Sequence, residues 1–422
     1  MRILQITHGF PPESVGGVEQ HVDGLSHALA QKGEVVHVYA RTSDASLKQG
    51  EFRSERGGNP EVTRTAFRWE GIDGLASMYR CAPMADTLRR FLRAQHDAGI
   101  RFDVAHVHHL TGMSVDSLDA LREAQIPVVL TLHDYWLMCP RGQMWNRREE
   151  SCERVEPQRC GECLSQTFPF WVNQQGAQDQ ARAIHDLART VLAKADRLVI
   201  PSARAIPPFE ALGIDPASIT VVENGVDTEA LESLPLPSFG PGPLRLGYLG
   251  TVMPSKGLHV LLDAVLQQPE GSVELHIYGN AVSYHGDDTY LTRCFQRLTP
   301  KVRVHYHGPY TTSRLPEILG NLDVVCAPAL WEEAFGLTVR EALAAARPIL
   351  VSRIGGLQDA VEDRVEGRVL PPGNASAWAA AIRELAEDRH LGRAMAQRTR
   401  TRARGFGAMA ADLLGVYRSV AH

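Results

Sequence analysis

Short apolar runs alternate with longer segments of helical apolar spacing in the first half of the chain. The runs Ile3–Thr7 and Val35–Ala40 flank a glycine-bearing loop and a predicted helix over about 18–32. Such runs, bounded by turn residues, are typical of buried parallel strands joined by crossover helices. Further buried strands are predicted at Val104–His108, Val128–Leu132 and Arg197–Ile200. The first half is therefore expected to form an alternating α/β domain.

The second half repeats this pattern. Strands are predicted at Leu244–Leu249, Glu274–Tyr278, Val302–His307, Val324–Ala327 and Pro348–Ser352, with helices over about 258–267, 315–319 and 339–346. The C-terminal stretch from about 377 is predicted to be helical. It can pack on either domain, and its last helix, about 405–422, is a candidate to return to the first.

The segment 231–243 is rich in proline and glycine, which indicates a linker. We therefore expect an N-terminal domain over 1–230 and a C-terminal domain over 244–404. The predicted fold class is α/β, with two Rossmann-like doubly wound domains facing each other across a cleft.

Composition and charge exclude several classes of protein. The 422 residues are 44% hydrophobic and 22% charged, which is ordinary for a globular chain. The net charge of -5 argues against a general nucleic-acid binder. No apolar run approaches the ~20 residues that span a bilayer. The opening Met1–Ile6 is predicted to be a strand rather than a signal peptide, so we expect a cytoplasmic protein.

An acidic motif lies between residues 331 and 342. Glu333 follows a predicted strand, and Glu341 lies inside the next helix. Phe335, Gly336 and Leu337 open that helix, where free backbone N–H groups and the helix dipole favour an anion. A carboxylate one turn further in can accept two hydroxyls of a ribose. The alternative is a pair of acids in an exposed first turn, which helix N-termini also favour.

Two glycine-bearing loops follow the first strand of each half. Gly247–Gly257 carries Lys256 just before a helix, a position that suits a cation neutralising a diphosphate. Pro11–Gly17 ends in Gly16 and Gly17, which allow close backbone approach to a ligand. Taken alone, the first can be an ordinary strand-to-helix turn and the second a flexible turn.

Together these three segments resemble the signature of retaining family-4 glycosyltransferases with the GT-B fold. The resemblance covers nearly the whole chain in the expected order. It also includes Asn224–Asp227, Ala327-Pro328 and Gly355-Gly356.

The resemblance assigns most donor-binding residues. It implies that Glu341 holds the donor ribose, that Glu333 contacts the transferred sugar and that Lys256 holds the diphosphate. Backbone N–H groups of Phe335–Leu337 and of the Gly16-Gly17 loop would assist.

One position departs from the family pattern. Thr251 stands where the family often has arginine, which removes one phosphate cation, and Arg353 is a candidate substitute. The nucleotide base of the donor is expected near Tyr278 and Asn280, in the segment Tyr278–Asn280, and near Gly308–Tyr310.

Several histidines follow the predicted strands of the first half. His133 ends one strand, and the resemblance implies that it contacts the transferred sugar and the acceptor. We take His133 and Glu333 as the catalytic candidates. His106, His108 and His109 end the preceding strand, and we favour a polar cleft wall over a metal site there. Our acceptor-binding candidates are His109, Tyr135 and Arg141.

Four of the seven cysteines, Cys139, Cys152, Cys160 and Cys163, are crowded into one polar segment. Thiolates at such spacing can wrap one tetrahedral Zn²⁺, which would be structural. Scattered reduced thiols and a redox pair are the alternatives.

The segment 79–95 mixes apolar residues with four arginines. It can be a basic amphipathic surface for anionic lipid, which would place the protein at the inner face of the membrane. It can equally be a helix with one core face and one solvated face.

We therefore expect a retaining glycosyltransferase that moves sugar from a UDP- or GDP-sugar. The acceptor would be a hydroxyl of a glycan, of a lipid-linked molecule or of a small molecule, as in polysaccharide biosynthesis. The resemblance implies no catalytic metal, and a leaving phosphate that takes the acceptor's proton. The alternatives are a sugar-nucleotide 2-epimerase, a glycogen-synthase-like or phosphorylase-like enzyme, and a non-catalytic sugar-binding protein.

Overall fold

The computed structural model describes residues 1–55 and 57–421. His422, the end of the predicted C-terminal helix, lies outside the described residues. The chain divides into two compact units. The N-terminal unit contains 1–147, 152–225 and the segment from 406 onward, and the C-terminal unit contains 148–151 and 226–405. Both are α/β, so the predicted class of two Rossmann-like sheets is confirmed.

The N-terminal unit is built on an eight-stranded sheet in the order β3-β4-β2-β1-β5-β6-β7-β8. All neighbouring strands are parallel except β3 and β4. The strands are β1 Arg2–Thr7, β2 Val35–Thr42, β3 Phe52–Glu55, β4 Glu61–Ala66, β5 Val104–Val107, β6 Val128–Thr131, β7 Arg197–Ile200 and β8 Ile219–Val221.

The helices of this unit cover the sheet. They are α1 Gly17–Gln31, α2 Leu75–Tyr79, α3 Ala82–Asp97, α4 Ser117–Glu123, α5 Pro157–Thr167, α6 Ala177–Leu192, α7 Pro207–Ala211 and the C-terminal α15 Phe406–Val420. One face of the sheet packs against α1 and α15, where Leu25 and Leu29 meet Leu413 and Tyr417 in one core cluster. The two helices approach closely at Gly24, where a Cβ atom would lie 2.2 Å from the Phe406 ring.

The C-terminal unit has a six-stranded parallel sheet in the order β11-β10-β9-β12-β13-β14. The strands are β9 Leu244–Leu249, β10 Val273–Tyr278, β11 Arg303–Gly308, β12 Val324–Ala327, β13 Ile349–Ser352 and β14 Gly367–Leu370. The helices are α8 Thr228–Glu232, α9 Leu258–Leu266, α10 Tyr290–Gln296, α11 Leu315–Gly320, α12 Leu337–Ala344, α13 Ala375–Glu387 and α14 Arg389–Thr399.

Each sheet has a point at which its strand order reverses. In the N-terminal unit β1 lies between β2 and β5, and in the C-terminal unit β9 lies between β10 and β12. Loops that leave the carboxyl ends of strands at such a point diverge and open a crevice, which is where open α/β sheets bind ligands. The glycine-bearing loops and the acidic motif leave these strands in both units.

The arginine-rich segment 79–95 belongs to the core of the N-terminal unit. The Phe91 ring packs against Tyr39 and Phe102 and is fully buried. Arg89 is paired with Glu123 at 2.7 Å. The apolar face of α3 is therefore unavailable to a lipid surface, and we do not propose membrane contact through this segment. Among the described residues, no helix is long and apolar enough to cross a bilayer.

Candidate functional site

The loop after β9 in the C-terminal unit lies directly against the end of β12. Gly257 has φ 71°, and a Cβ atom there would stand 2.0 Å from the Pro328 carbonyl oxygen. Only glycine tolerates both this conformation and this approach. The close contact brings Lys256, one residue earlier, beside the acidic motif.

Lys256 and Glu333 form an ion pair at this position. The Lys256 ammonium donates to both carboxylate oxygens of Glu333, at 2.7 and 2.8 Å. It also lies 5.4 Å from the centre of the Trp331 ring. The structure thus brings together two predicted site residues that stand 77 positions apart. A single point on the surface offers both a cation and a carboxylate.

The turn before α12 is fixed by hydrogen bonds to its carbonyl groups. The Arg340 guanidinium lies 4.1 Å from the Phe335 ring centre and donates to the carbonyl oxygens of Phe335 and Gly356. The Gly356 N–H donates to the Glu333 carbonyl oxygen at 2.7 Å. The first N–H groups of a helix have no partner within it, so this rigid turn presents donors to an anion.

Glu341 is buried one turn inside α12, with 8% of its surface exposed. Burial, and then the nearby Asp227 charge, raise the pKa of its carboxyl to about 7. No described residue donates a hydrogen bond to this side chain. A buried carboxylate without donors carries a desolvation cost, which is typical of a group that completes its hydrogen bonds with a ligand.

Aromatic rings surround the region predicted for the base. Tyr278 stacks on His307 with ring centres 4.3 Å apart, and its ring meets Tyr310 edge-on at 6.3 Å. Asn280 is exposed, and its carbonyl oxygen accepts from the Val252 N–H. Thr251 contributes its carbonyl oxygen to the Tyr248 hydroxyl at 2.9 Å.

Six histidines gather at the carboxyl ends of β1, β5 and β6 in the N-terminal unit. They are His8, His21, His106, His108, His109 and His133. The ring nitrogens of His21, His108 and His133 come within 4.8 Å of one another. The histidines predicted at the strand ends thus lie together, and His21 joins them from α1 rather than from a strand end.

Hydrogen bonds define how His133 is protonated. The Gln5 side chain donates through Nε2 to the Tyr417 hydroxyl. Its Oε1 atom can only accept, and it lies 2.6 Å from His108 Nε2, so that nitrogen is the donor. A neutral His108 then accepts at Nδ1, so His133 donates its Nε2–H to that atom at 3.1 Å. His133 is left with a lone pair on Nδ1.

Burial keeps these rings neutral. It lowers the pKa of His8 to about 4 and of His21 to about 3. Burial and neighbouring histidines also hold the pKa of His108 and His133 well below the usual range. At physiological pH these four histidines therefore offer neutral donors and acceptors rather than positive charge.

His109 faces a carboxylate. Its Nδ1 atom accepts from the Thr111 N–H at 3.2 Å, so its Nε2–H points to Asp134 Oδ2 at 3.2 Å. Burial tends to raise the pKa of Asp134, but His109 and the Trp136 N–H outweigh it and the pKa is lowered. The Asp134 carboxylate is thus held ionised beside His109.

The glycine-bearing loop of the N-terminal unit already holds a carboxylate. Gly16 precedes α1, and a Cβ atom there would stand 2.6 Å from Glu19 Oε2. Ser14 donates its hydroxyl to the other Glu19 oxygen at 2.7 Å. The N-terminus of α1 at Gly17 therefore has a resident anion, which the sequence did not indicate.

Two of the acceptor-binding candidates, Tyr135 and Arg141, pack or hydrogen-bond within the N-terminal unit. Tyr135 is fully buried, with its ring 5.7 Å from that of Phe209. The Arg141 guanidinium donates to the carbonyl oxygen of Trp145 at 2.6 Å and to the hydroxyl of Thr167 at 3.0 Å. We therefore keep only His109 of the three in the proposed acceptor site.

The four crowded cysteines, Cys139, Cys152, Cys160 and Cys163, are half-buried free thiols that line one cavity of about 60 Å³. Burial, reinforced by the neighbouring thiols, raises the pKa of Cys152 to about 11. The other cysteines, Cys81, Cys294 and Cys326, lie elsewhere.

Sequence reasoning missed His8, Glu19, His21 and Asp227 as members of these sites. His8, His21 and Asp227 come from different pieces of chain than the residues they meet, so their spacing carries no signal, whereas Glu19 stands only five positions after Ser14. The one available clue was helical register, since Gly17, Glu19 and His21 all fall within the first turns of α1.

Comparison with known proteins places the chain in a family. Residues 15–230 match the model described as Glycosyltransferase Family 4, and residues 238–403 match Glycosyl transferases group 1. The chain is 27% identical over 381 residues to phosphatidyl-myo-inositol mannosyltransferase of Mycobacterium leprae, covering 87% of this chain and 83% of the relative. It is 26% identical over 396 residues to glycogen synthase of Mycobacterium tuberculosis, covering 92% and 86%.

The fold is also that of solved glycosyltransferase structures. Anabaena HepE in complex with UDP and glucose superposes with a TM-score of 0.69 at 18% identity, over 99% of this chain and 100% of that one. The family model over the first half of the chain and the order of the motifs agree with this fold. The chain belongs to glycosyltransferase family 4, the retaining family with the GT-B fold that its motifs resemble.

Proposed function

We propose that the protein transfers a sugar from a UDP- or GDP-sugar to an acceptor hydroxyl, with retention of configuration at the anomeric carbon. The observation that carries this proposal is Glu341, a buried carboxylate to which no described residue donates, one turn from a helix N-terminus that suits an anion. One short segment can thus hold both a ribose and a phosphate.

The C-terminal unit supplies the donor residues in this proposal. The ribose hydroxyls donate to Glu341, and the N–H groups of Phe335, Gly336 and Leu337 face the diphosphate. Lys256 neutralises the charge that develops on the leaving diphosphate, while Glu333 accepts from hydroxyls of the transferred sugar. The ion pair that these two side chains form holds both at one place.

The N-terminal unit supplies His133 and His109. The lone pair on His133 Nδ1 suits a sugar hydroxyl, and the Gln5–His108 chain fixes that tautomer. We propose that the leaving phosphate takes the acceptor's proton on the face from which it departs. The residues of the protein then position the groups and stabilise charge, and no protein nucleophile is needed.

The acceptor is proposed only as a hydroxyl of a glycan, of a lipid-linked molecule or of a small molecule. By their names, the two relatives act on phosphatidyl-myo-inositol and build glycogen. The family therefore uses very different acceptors on one fold, and acceptor choice needs direct assay.

The test of donor class is a binding panel with UDP, GDP and ADP and their sugars, read by thermal shift. A ligand at about 100 times its dissociation constant should add roughly 2.7 kcal/mol of stability. We expect a shift with one base, and NMR of the sugar product should show the anomeric configuration of the donor. Inversion, or no response to any nucleotide by the folded protein, would contradict the proposal.

Replacing His133 by alanine should lower kcat about 10- to 100-fold and leave nucleotide affinity unchanged. The reason is that His133 belongs to the N-terminal unit, which we propose holds the acceptor, whereas Glu341 and Lys256 belong to the C-terminal unit. His27→Ala, at an exposed histidine of α1, is the matched control. Steady-state kinetics gives kcat, and titration with UDP gives the nucleotide affinity. An equal loss of kcat and of nucleotide affinity would assign His133 to nucleotide binding instead.

A further inference from the structure

Four thiols from three pieces of the N-terminal unit surround one cavity. Cys139 lies in the turn after β6, Cys152 lies in the following loop, and Cys160 and Cys163 lie on α5. None of the glycosyl-transfer chemistry uses them. We propose that these four side chains bind one zinc ion, which fastens the segment 139–152 to α5.

The two cysteines on α5 are placed so that both can bind the same ion. Cys160 and Cys163 are three residues apart on α5, so both thiols lie on one face of the helix. Gly161 between them packs against α6, where a Cβ atom would stand 2.8 Å from the Ala177 backbone. The back of this turn is thereby fixed, and the thiols are turned toward the cavity.

The Cys139 side has the hydrogen bonds of a thiolate ligand. Its sulfur accepts backbone N–H groups from Arg141 and Met144, which curl around it. Cys152 is brought alongside because its own N–H donates to the Met144 carbonyl oxygen at 2.6 Å. Backbone donors of this kind stabilise a charged sulfur, as second-shell donors do at metal sites.

The surroundings suit a charged cluster. Four thiolates and one Zn²⁺ carry a net charge of -2, and Arg141, Arg154 and Arg159 line the same cavity. A cavity of about 60 Å³ leaves room for an ion. The loop between Cys139 and α5 has neither a helix nor a strand among its described residues, so a cross-link gives it stability that packing does not.

The sulfurs must close in on the ion. Groups of three candidate ligand atoms within 4.8 Å of one another occur at two places among the described residues, and the thiols are at neither. Zn–S bonds of about 2.3 Å require rotation of the thiols into the cavity they line. Rotation about the Cα–Cβ bond is the cheapest such movement, since it leaves the hydrogen bonds between backbone groups intact.

The experiment measures metal content of the full-length protein, purified without chelator, by mass spectrometry of the elements. We expect about one zinc per chain, lost in Cys160→Ser and in Cys163→Ser. Cys81→Ser, at another half-buried thiol of the same unit, is the control and should keep the zinc. Zinc at full occupancy in both helix variants would overturn the proposal.

A second measurement covers the case in which these variants fail to fold. Cobalt substituted into the wild-type protein should give thiolate-to-cobalt charge-transfer bands and the intense visible bands of a tetrahedral site. Weak octahedral cobalt spectra would overturn the proposal. Wild-type protein that contains no zinc would also overturn the proposal. This holds whether all seven thiols react with a thiol reagent or four of them are lost to disulfides. None of these readouts depends on sugar transfer.

Discussion

Glu341→Gln should make the protein more stable and at the same time weaken its affinity for the nucleotide. Glutamine keeps the shape of the side chain but cannot ionise in the buried site. The free energy of unfolding at pH 8 should rise by up to about 2–3 kcal/mol, because burial has raised the pKa of this carboxyl to about 7 from 4.5. Nucleotide affinity should fall about 100-fold, since hydrogen bonds to a charged acceptor are lost.

The sign of the pH dependence follows from the raised pKa of Glu341. Between pH 4.5 and about 7 the folded protein holds a proton that the unfolded chain releases. This carboxyl therefore costs no stability below pH 4.5, and its cost is complete above pH 7. The difference in unfolding free energy between wild type and Glu341→Gln should grow with pH across that interval.

Denaturant unfolding at pH 5, 6, 7 and 8 measures this difference directly. Glu270→Gln, at an exposed glutamate of the same unit, is the control and should show no such trend. A variant that is less stable than wild type at pH 8 would show that the carboxylate has protein partners. Unchanged nucleotide affinity would remove Glu341 from the donor site.

The strands of the C-terminal unit were predictable because their apolar runs are continuous. Leu244–Leu249 and Val324–Ala327 were placed with the bounds that the structure gives. In contrast, β3 and β4 escaped prediction. Phe52–Glu55 and Glu61–Ala66 contain arginine, threonine and glutamate, and an edge hairpin does not require a continuous apolar run.

Pairings across long separations could not be predicted. The order of motifs brought Lys256 and Glu333 into one site by resemblance, but no local spacing indicates that one ammonium contacts both carboxylate oxygens. The sequence also could not decide whether segment 79–95 faces a protein core or a lipid surface. An amphipathic helix has one apolar stripe whether a core or a lipid covers it, and only the packing of Phe91 decides.

Lys256→Met should lower kcat/KM about 100- to 1000-fold. The methionine keeps the length and packing of the side chain while removing a positive charge that we propose stabilises the leaving diphosphate. Removing a single donor to developing negative charge costs this much in other enzymes. Lys301→Met, at an exposed lysine of the same unit, is the control and should leave kcat/KM unchanged.

The ion pair allows the roles of Lys256 and Glu333 to be separated. If Lys256 serves the diphosphate and Glu333 the sugar, UDP or GDP alone should lose affinity in Lys256→Met only. In Glu333→Gln the ammonium no longer has a competing carboxylate, so affinity for the free nucleotide should stay equal or rise. Sugar transfer should fall in both variants.

A double-mutant cycle completes the argument about this ion pair. The two side chains touch, so their effects on transfer should not add, and Glu333→Gln should no longer change the affinity for free nucleotide once Lys256→Met is present. Loss of nucleotide affinity in Glu333→Gln equal to that in Lys256→Met would mean that the carboxylate acts only by positioning the ammonium. The sugar would then have to be held by other residues of the C-terminal unit.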